Sequence, residues 1–241
     1  MPVSSEPSFR ASALPRRLAG LAGLAGSLLF FAGDMLFYGY SGPGADFSGE
    51  MLATVRQAST ERLLFGGGLV GPLAACLCIA GLWHVYRNVR PQAVWAGWVM
   101  LFGFAALMVV GSAGHTLWTA KGLAIMDCYG EGAPCSDLLA ATKSYWTIPY
   151  NLSPVPGYLG AVILAVLVLW GKTWYPRWTV LANPTVLILI LPLAAKLPAR
   201  FGSVVVGGAI NLSIAIFFLV SLLTTWTQGG SAEETQMPQA L

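Results

Sequence analysis

Six long apolar stretches separated by short polar ones dominate this chain. They cover about 17–40, 63–86, 94–119, 146–171, 180–198 and 203–226. Each is close to the ~20 residues that span ~30 Å of hydrocarbon as a helix. The pattern predicts an all-α, polytopic membrane protein with six transmembrane helices. Residues 1–15 read as a flexible Ser/Pro-rich tail, 16–227 as one membrane domain, and 228–241 as a second polar tail. Arg16 and Arg17 precede the first apolar run much as in a signal peptide. That run continues through Asp34 to Tyr40 without a small-residue cleavage site, so it reads as a retained first helix.

Composition agrees with this pattern. Of 241 residues, 56% are hydrophobic and 10% charged, against about 25% charged in soluble domains; the mean hydropathy is +0.68. The net charge of +3 comes without a basic stripe interleaved with aromatics, which argues against nucleic acid. The two histidines fall at opposite membrane faces with no paired ligand spacing. No metal and no cofactor are expected.

Lys and Arg near the span ends set the orientation. Arg10, Arg16, Arg17, Arg87, Arg90, Lys172 and Arg177 fall on one side, in short and purely basic connections. Arg56, Arg62, Lys121, Lys143, Lys196 and Arg200 share the other side with Asp46, Glu50, Glu61, Asp127, Glu131 and Asp137. The purely basic side is read as cytoplasmic, which places both termini there, in a bacterial plasma (inner) membrane. Cys128 and Cys135 then fall in an outer loop with Gly130, Gly132 and Pro134 between them, where a disulfide persists; two free thiols are the alternative. Cys76 and Cys78 are mid-span and read as small apolar residues. In the outer connection from Ser41 to Glu61, Phe47, Met51 and Val55 recur every four residues. They form either a short interfacial amphipathic helix or an ordinary connector.

Polar residues within the spans carry the candidate chemistry. Asp34 lies ~25 Å along its helix from Arg17, inside an apolar run. A carboxylate at the centre of such a helix costs about 2.5–3.5 kcal/mol, so it faces a bundle interior or a wet cavity. With alternating helix directions, Asp34, Arg62, His115, Asn151, Lys196 and Asn211 share one layer in the outer half. In the functional reading this layer is a polar pocket with Asp34 and His115 as an acid/base or proton-relay pair and Asn151 and Asn211 as orienting groups. In the structural reading the groups pair with one another, Asp34 with Arg62 for example, and hold the bundle. Lys196 and Arg200 also read as cations snorkelling to the interface.

His84 sits apart, with Asn183 and the Trp174–Trp178 region, and reads as an interfacial histidine in an aromatic belt. Pro149, Pro154, Pro156 and Gly157 predict irregular backbone in the outer half of span four, which membranes tolerate where it lines a cavity. Gly66, Gly67, Gly68 and Gly71, with Pro72, open span two for close approach by a helix or a ligand. Phe30, Phe31, Phe37 and Tyr38 flank Asp34, and Trp118 lies one turn from His115. An aromatic wall beside an acid suits an apolar substrate or a cation.

Four segments together resemble one bacterial polytopic membrane-protein family catalogued only as a domain of unknown function. They are GDMLFYG (33–39), RLLFGGGLVGPLAACLCIAGLWHVYR (62–87), YPRWTVLANP (175–184) and LPARFGSVVVGGAINLSIAIFF (197–218). The resemblance implies a single helical membrane domain and brings no activity. It marks Asp34, His84, Pro184 and Asn211 without assigning them roles.

The expectation is an outward-facing pocket for a small apolar or amphipathic molecule in a lipid bilayer, and an acid/base membrane enzyme of isomerase or cyclase type. Asp34 and His115 would do the chemistry, and Arg62, Asn151, Asn211, Trp118 and Tyr38 would bind. A proton-coupled or small-molecule transporter using the same residues is the alternative, followed by an accessory subunit. Oligomeric state is not legible.

Overall fold

The computed structural model describes residues 13–39, 55, 57–130, 136–190 and 207–227. Helix α1 is Ala13–Tyr38. A short turn, Thr60–Leu63, and a π-helical segment, Leu64–Val70, lead into α2, Gly71–Arg87. Helix α3 is Val94–Gly130, α4 is Ser136–Leu152, α5 is Pro154–Leu169, α6 is Pro184–Ile190 and α7 is Ala209–Thr225. No strand occurs among the described residues; a single bridge pairs Val89 with Thr173.

Four helical stretches are long and apolar enough to cross a membrane: Leu14–Tyr38, Thr60–Arg87, Pro91–Cys128 and Asp137–Leu169. Ala209–Thr225 is a shorter apolar helix. The expected fifth span, 180–198, is described only to residue 190.

Small residues let the helices approach. Helix α1 packs on α2 and α7, and α3 packs on α2, α4 and α5. At the α1–α2 crossing a Cβ on Gly81 would collide with the Gly23 backbone. On α3, a Cβ on Gly103 would lie 2.6 Å from the Pro156 carbonyl of α5. Such close crossings gain dispersion where water supplies no driving force between helices. The core around them joins Phe30, Leu82, Met100, Phe104, Leu164 and Phe218.

The ends of α1 and α7 meet. Arg17 donates from Nε and Nη2 to the Trp226 carbonyl at 3.1 and 2.7 Å, and Arg16 donates to the Thr225 carbonyl at 3.1 Å. These arginines satisfy carbonyls left orphaned at the α7 C-terminus and lie at its negative dipole end. At the same end α5 stops in a Schellman motif. Gly171 adopts φ +65°, and the Lys172 and Gly171 amides donate to the carbonyls of Leu167 and Val168.

Three expectations about local structure change. The connection between spans three and four is largely helical. Helix α3 runs to Gly130 and α4 begins at Ser136, because a helix continues past its apolar window when it finds a partner. The extension has its own core of Phe37, Val55, Leu63, Trp118 and Ile125, with Leu139 and Trp146 packed against it. Span four is less irregular than its prolines predict. Its one interruption is Ser153: Pro154 starts α5, where the missing donor costs nothing, and Pro149 is accommodated inside α4. The glycines of span two make a π turn. Pro72 cannot donate to Gly68 and its ring crowds that carbonyl; the wider winding relieves the clash.

Phe47, Met51, Lys196, Arg200 and Cys135 lie outside the described residues, and with them the amphipathic-helix and disulfide expectations. Val55 is described and buried.

Candidate functional site

Asp34 stands on the last turn of α1, 7% exposed. Asn211, in the first turn of α7, donates from Nδ2 to Asp34 Oδ2 at 2.7 Å. His115, on α3, places Nε2 3.4 Å from Asp34 Oδ1. The carboxylate is therefore gripped on both oxygens by groups far apart in sequence, and three helices converge on it. The His115 ring also packs on Phe30 and Phe37, with centroids 5.0 and 5.7 Å away.

The π turn sets where His115 stands. A Cβ on Gly67 would collide with Thr119 Oγ1 and lie 2.5 Å from the His115 carbonyl; one on Gly71 would lie 2.9 Å from the His115 Cβ. These two glycines let span two lie directly against α3 at the histidine. Thr119 donates to the Leu63 carbonyl at 2.8 Å and Thr116 to the Gly67 carbonyl at 3.2 Å. Threonines of α3 thus satisfy carbonyls along the segment where the backbone ladder is widened. His115 Nδ1 is buried and has no hydrogen-bond partner among the described residues.

Beside this triad lies a cavity of about 520 Å³, lined chiefly by apolar and aromatic side chains. Asp34, His115, Asn151, Asn211, Tyr38 and Trp118 all line it. Its wall includes Phe30, Phe37, Phe104, Trp146 and Tyr150 from α1, α3 and α4, and Pro184 and Ile188 from α6. The volume falls within the ~300–1,000 Å³ of small-molecule sites.

Arg62 is the exception among the expected site residues. It does not pair with Asp34: its Nη2 donates to the Met35 carbonyl at 2.9 Å, and it does not line the cavity. The Met35 carbonyl, near the end of α1, accepts both from the Gly39 amide at 2.9 Å and from this guanidinium, using its two lone pairs.

Three further residues differ from expectation. Lys121 is fully buried rather than interfacial, with Nζ 4.2 Å from the ring centroids of both Trp118 and Trp146. The signal for it was faint: a lysine one turn beyond Trp118, just past the expected end of the span. His84 is 1% exposed, not part of an interfacial belt. Its Nδ1 lies 2.9 Å from the Arg16 carbonyl, which only accepts, so Nδ1 carries the hydrogen; Nε2 lies 3.3 Å from Thr225 Oγ1. It locks α1, α2 and α7 together at the end opposite the triad. Asn183 is also interior: it donates to the Ala161 carbonyl at 2.9 Å, and its Oδ1 caps α6 by accepting from the Thr185 amide at 3.0 Å.

No group of three or more His, Cys, Asp or Glu side chains that could hold a metal ion occurs among the described residues. Comparison with other proteins finds no match among curated proteins and none among solved structures. The sequence profile of one family, a family of unknown function (DUF6796), matches residues 15–228. Nearly the whole helical domain, including Asp34, His115 and Asn211, lies inside that match, and the chain belongs to this family.

Proposed function

We propose that this membrane protein binds a small apolar or amphipathic molecule in the Asp34–His115 cavity and acts on it by acid/base chemistry, as an isomerase- or cyclase-type enzyme. In this reading six spans place both termini in the cytoplasm of a bacterial cell and the cavity in the outer half of the plasma membrane. Among the described residues the acids Asp34, Glu61, Asp127 and Asp137 all lie toward the cavity end. The opposite end carries Arg16, Arg17, Arg87, Arg90, Lys172 and Arg177. Positive charge retained inside supports that orientation.

The observation that carries the proposal is the 3.4 Å contact between Asp34 Oδ1 and His115 Nε2 at the wall of an aromatic cavity. Asn211 fixes the other carboxylate oxygen, so Oδ1 keeps its place facing the imidazole. A carboxylate and an imidazole in contact can hold one proton between them. Such a pair removes a proton from one carbon of an unsaturated ligand and returns it to another, with no net change in protonation. The aromatic faces of Phe30, Phe37 and Tyr38 suit an apolar ligand and any positive charge that develops on it.

The test is thermal stability of the purified protein and of Asp34→Asn with a panel of lipids and isoprenoids, together with mass spectrometry of co-purifying molecules. A binder stabilises the folded state by mass action. Stabilisation of the wild type that weakens in a folded Asp34→Asn protein supports the proposal. Two folded proteins, both insensitive to every ligand, overturn it in favour of an accessory subunit. Proton-dependent uptake into vesicles with the ligand unchanged replaces the enzyme by a carrier built on the same pair.

A further inference from the structure

We propose that the cavity measures one apolar chain: the ligand's polar end sits at the Asp34–His115 pair, and its chain runs over Gly114 and Gly111 of α3 to a floor at Phe104, Ala161 and Phe218. The inference rests on the ligand-binding reading of the cavity above and adds the shape and length of the ligand.

Gly111, Gly114, Gly157 and Gly207 all line the cavity. Two of them serve packing: a Cβ on Gly157 would lie 2.7 Å from Leu107, and one on Gly207 would lie 2.8 Å from Tyr38. Gly111 and Gly114 are different, because a Cβ on either would meet nothing within 4 Å among the described residues. After proline, glycine is the least favourable residue in a helix interior. In membrane helices it is commonly repaid by close contact with a neighbour. Both glycines stand well inside α3, and neither has such a contact. What they leave is room on the cavity wall. Gly114 adjoins His115 and Gly111 lies one turn before it, so the room begins beside the acid/base pair.

The wall is polar at one end and apolar at the other. On α3 the lining runs from His115 through Gly111 and Met108 to Phe104, in steps of three or four residues along one helix face. On α7 it runs from Asn211 through Ile214 to Phe218 in the same steps. The next positions on these faces, Met100 and Leu222, do not line the cavity and are buried. On α5 the lining ends at Ala161, and Leu164 beyond it is buried. The cavity therefore stops on a packed apolar floor. At 1.5 Å per residue that floor lies ~10 Å from Asn211 along α7 and ~16 Å from His115 along α3. With carbon–carbon bonds of ~1.5 Å, an extended chain of roughly ten carbons fills that depth.

The experiment uses the full chain in phosphatidylcholine nanodiscs with hexanol, decanol and hexadecanol as probes. They are compared at equal mole fraction in the bilayer, and affinity is read from thermal stabilisation. The wild type is expected to bind decanol best and hexadecanol at least about tenfold more weakly, since the surplus methylenes have no room beyond the floor. Gly111→Leu puts a side chain across the path and is expected to shift the best probe from decanol to hexanol. Gly68→Leu adds the same side chain at an open position outside the cavity wall and is expected to leave the order of the probes unchanged. Without any probe, Gly111→Ala is expected to melt at or above the wild-type temperature, because its methyl group enters open space and favours the helix. If Gly111→Leu does not fold, Gly111→Ala carries the comparison, with decanol weakened relative to hexanol. Binding that keeps tightening to hexadecanol overturns the floor. An order of probes that neither Gly111 variant changes, or that Gly68→Leu changes equally, overturns the role of the glycine; either result leaves the cavity reading standing. A Gly111→Ala protein that melts well below wild type overturns the inference too, because the chain itself then fills the space. No stabilisation by any probe overturns the cavity reading, and this inference with it.

Discussion

Asn211 Nδ2 lies 2.7 Å from Asp34 Oδ2, joining the last turn of α1 to the first turn of α7 across 177 residues of sequence. The contact accounts for a carboxylate in an apolar helix without invoking an ion pair with arginine. It also predicts how the two residues respond to substitution. Asn211→Ala leaves a buried carboxylate oxygen without its donor, at a cost of about 1–2 kcal/mol. Asp34→Asn removes the charge and keeps an acceptor for Asn211, so the protein stays folded with a small loss. Unfolding in detergent at a series of denaturant concentrations checks both. Equal losses for the two variants would mean that the charge, not the hydrogen bond, holds the helices.

The π turn predicts opposite outcomes for neighbouring glycines. Gly67→Ala drives a methyl group into Thr119 and the His115 carbonyl, whereas a Cβ on Gly68 meets nothing within 4 Å. Gly67→Ala is expected to destabilise by about 1–3 kcal/mol and to weaken ligand-dependent stabilisation by displacing His115. Gly68→Ala is expected to stay within about 0.5 kcal/mol of wild type. Thermal unfolding of the pair decides it; similar losses from both would contradict the close packing of span two on α3.

His84 is predicted to be structural. Replacing it with Ala removes its contacts to the Arg16 carbonyl and Thr225 Oγ1 and opens a cavity at the junction of α1, α2 and α7. The expected loss is about 2 kcal/mol or more, with ligand affinity at the Asp34 end unchanged in protein that remains folded. A stable His84→Ala variant with altered ligand binding would give this histidine a role in the chemistry.

Tyr175 provides a pH signature. It is buried, its hydroxyl lies 2.7 Å from Ser221 Oγ, and burial pushes the phenol up to about 12 from its ordinary value of 10.0. The folded state therefore holds this proton more tightly than the unfolded state. Stability from this group is fully present below pH ~10 and is lost as pH rises toward ~12, by about 2–3 kcal/mol in all. Tyr175→Phe is expected to be less stable at neutral pH, through loss of the Ser221 contact, and to have a flatter profile above pH 10. Tyrosinate absorbance followed alongside unfolding tests this; a Tyr175 titration below pH 10 in folded protein would rule it out.

Much of the architecture is written in the order of apolar and polar residues. Twenty or more apolar positions in a row leave a chain one low-energy option in lipid, a helix that satisfies its own backbone. The helical membrane class therefore follows from residues such as Leu63–Leu82 alone. The cost of a carboxylate in hydrocarbon makes Asp34 conspicuous, and alternating helix directions bring His115 and Asn211 to its level. Sequence order does not say which neighbour a polar side chain selects. Arg62 was as plausible a partner for Asp34 as Asn211, yet it caps the Met35 carbonyl, because that choice depends on the rotation of each helix about its axis. Helix ends are similarly hidden: hydropathy marks where the apolar window stops, and α3 runs on to Gly130 because α4 is there to pack against it. The burial of His84 and Lys121, the π turn that brings span two onto His115 and the seat of Trp118 in the cavity wall are all products of close packing between segments distant in sequence. They exist only once the helices have met, which is why tertiary structure alone decided them.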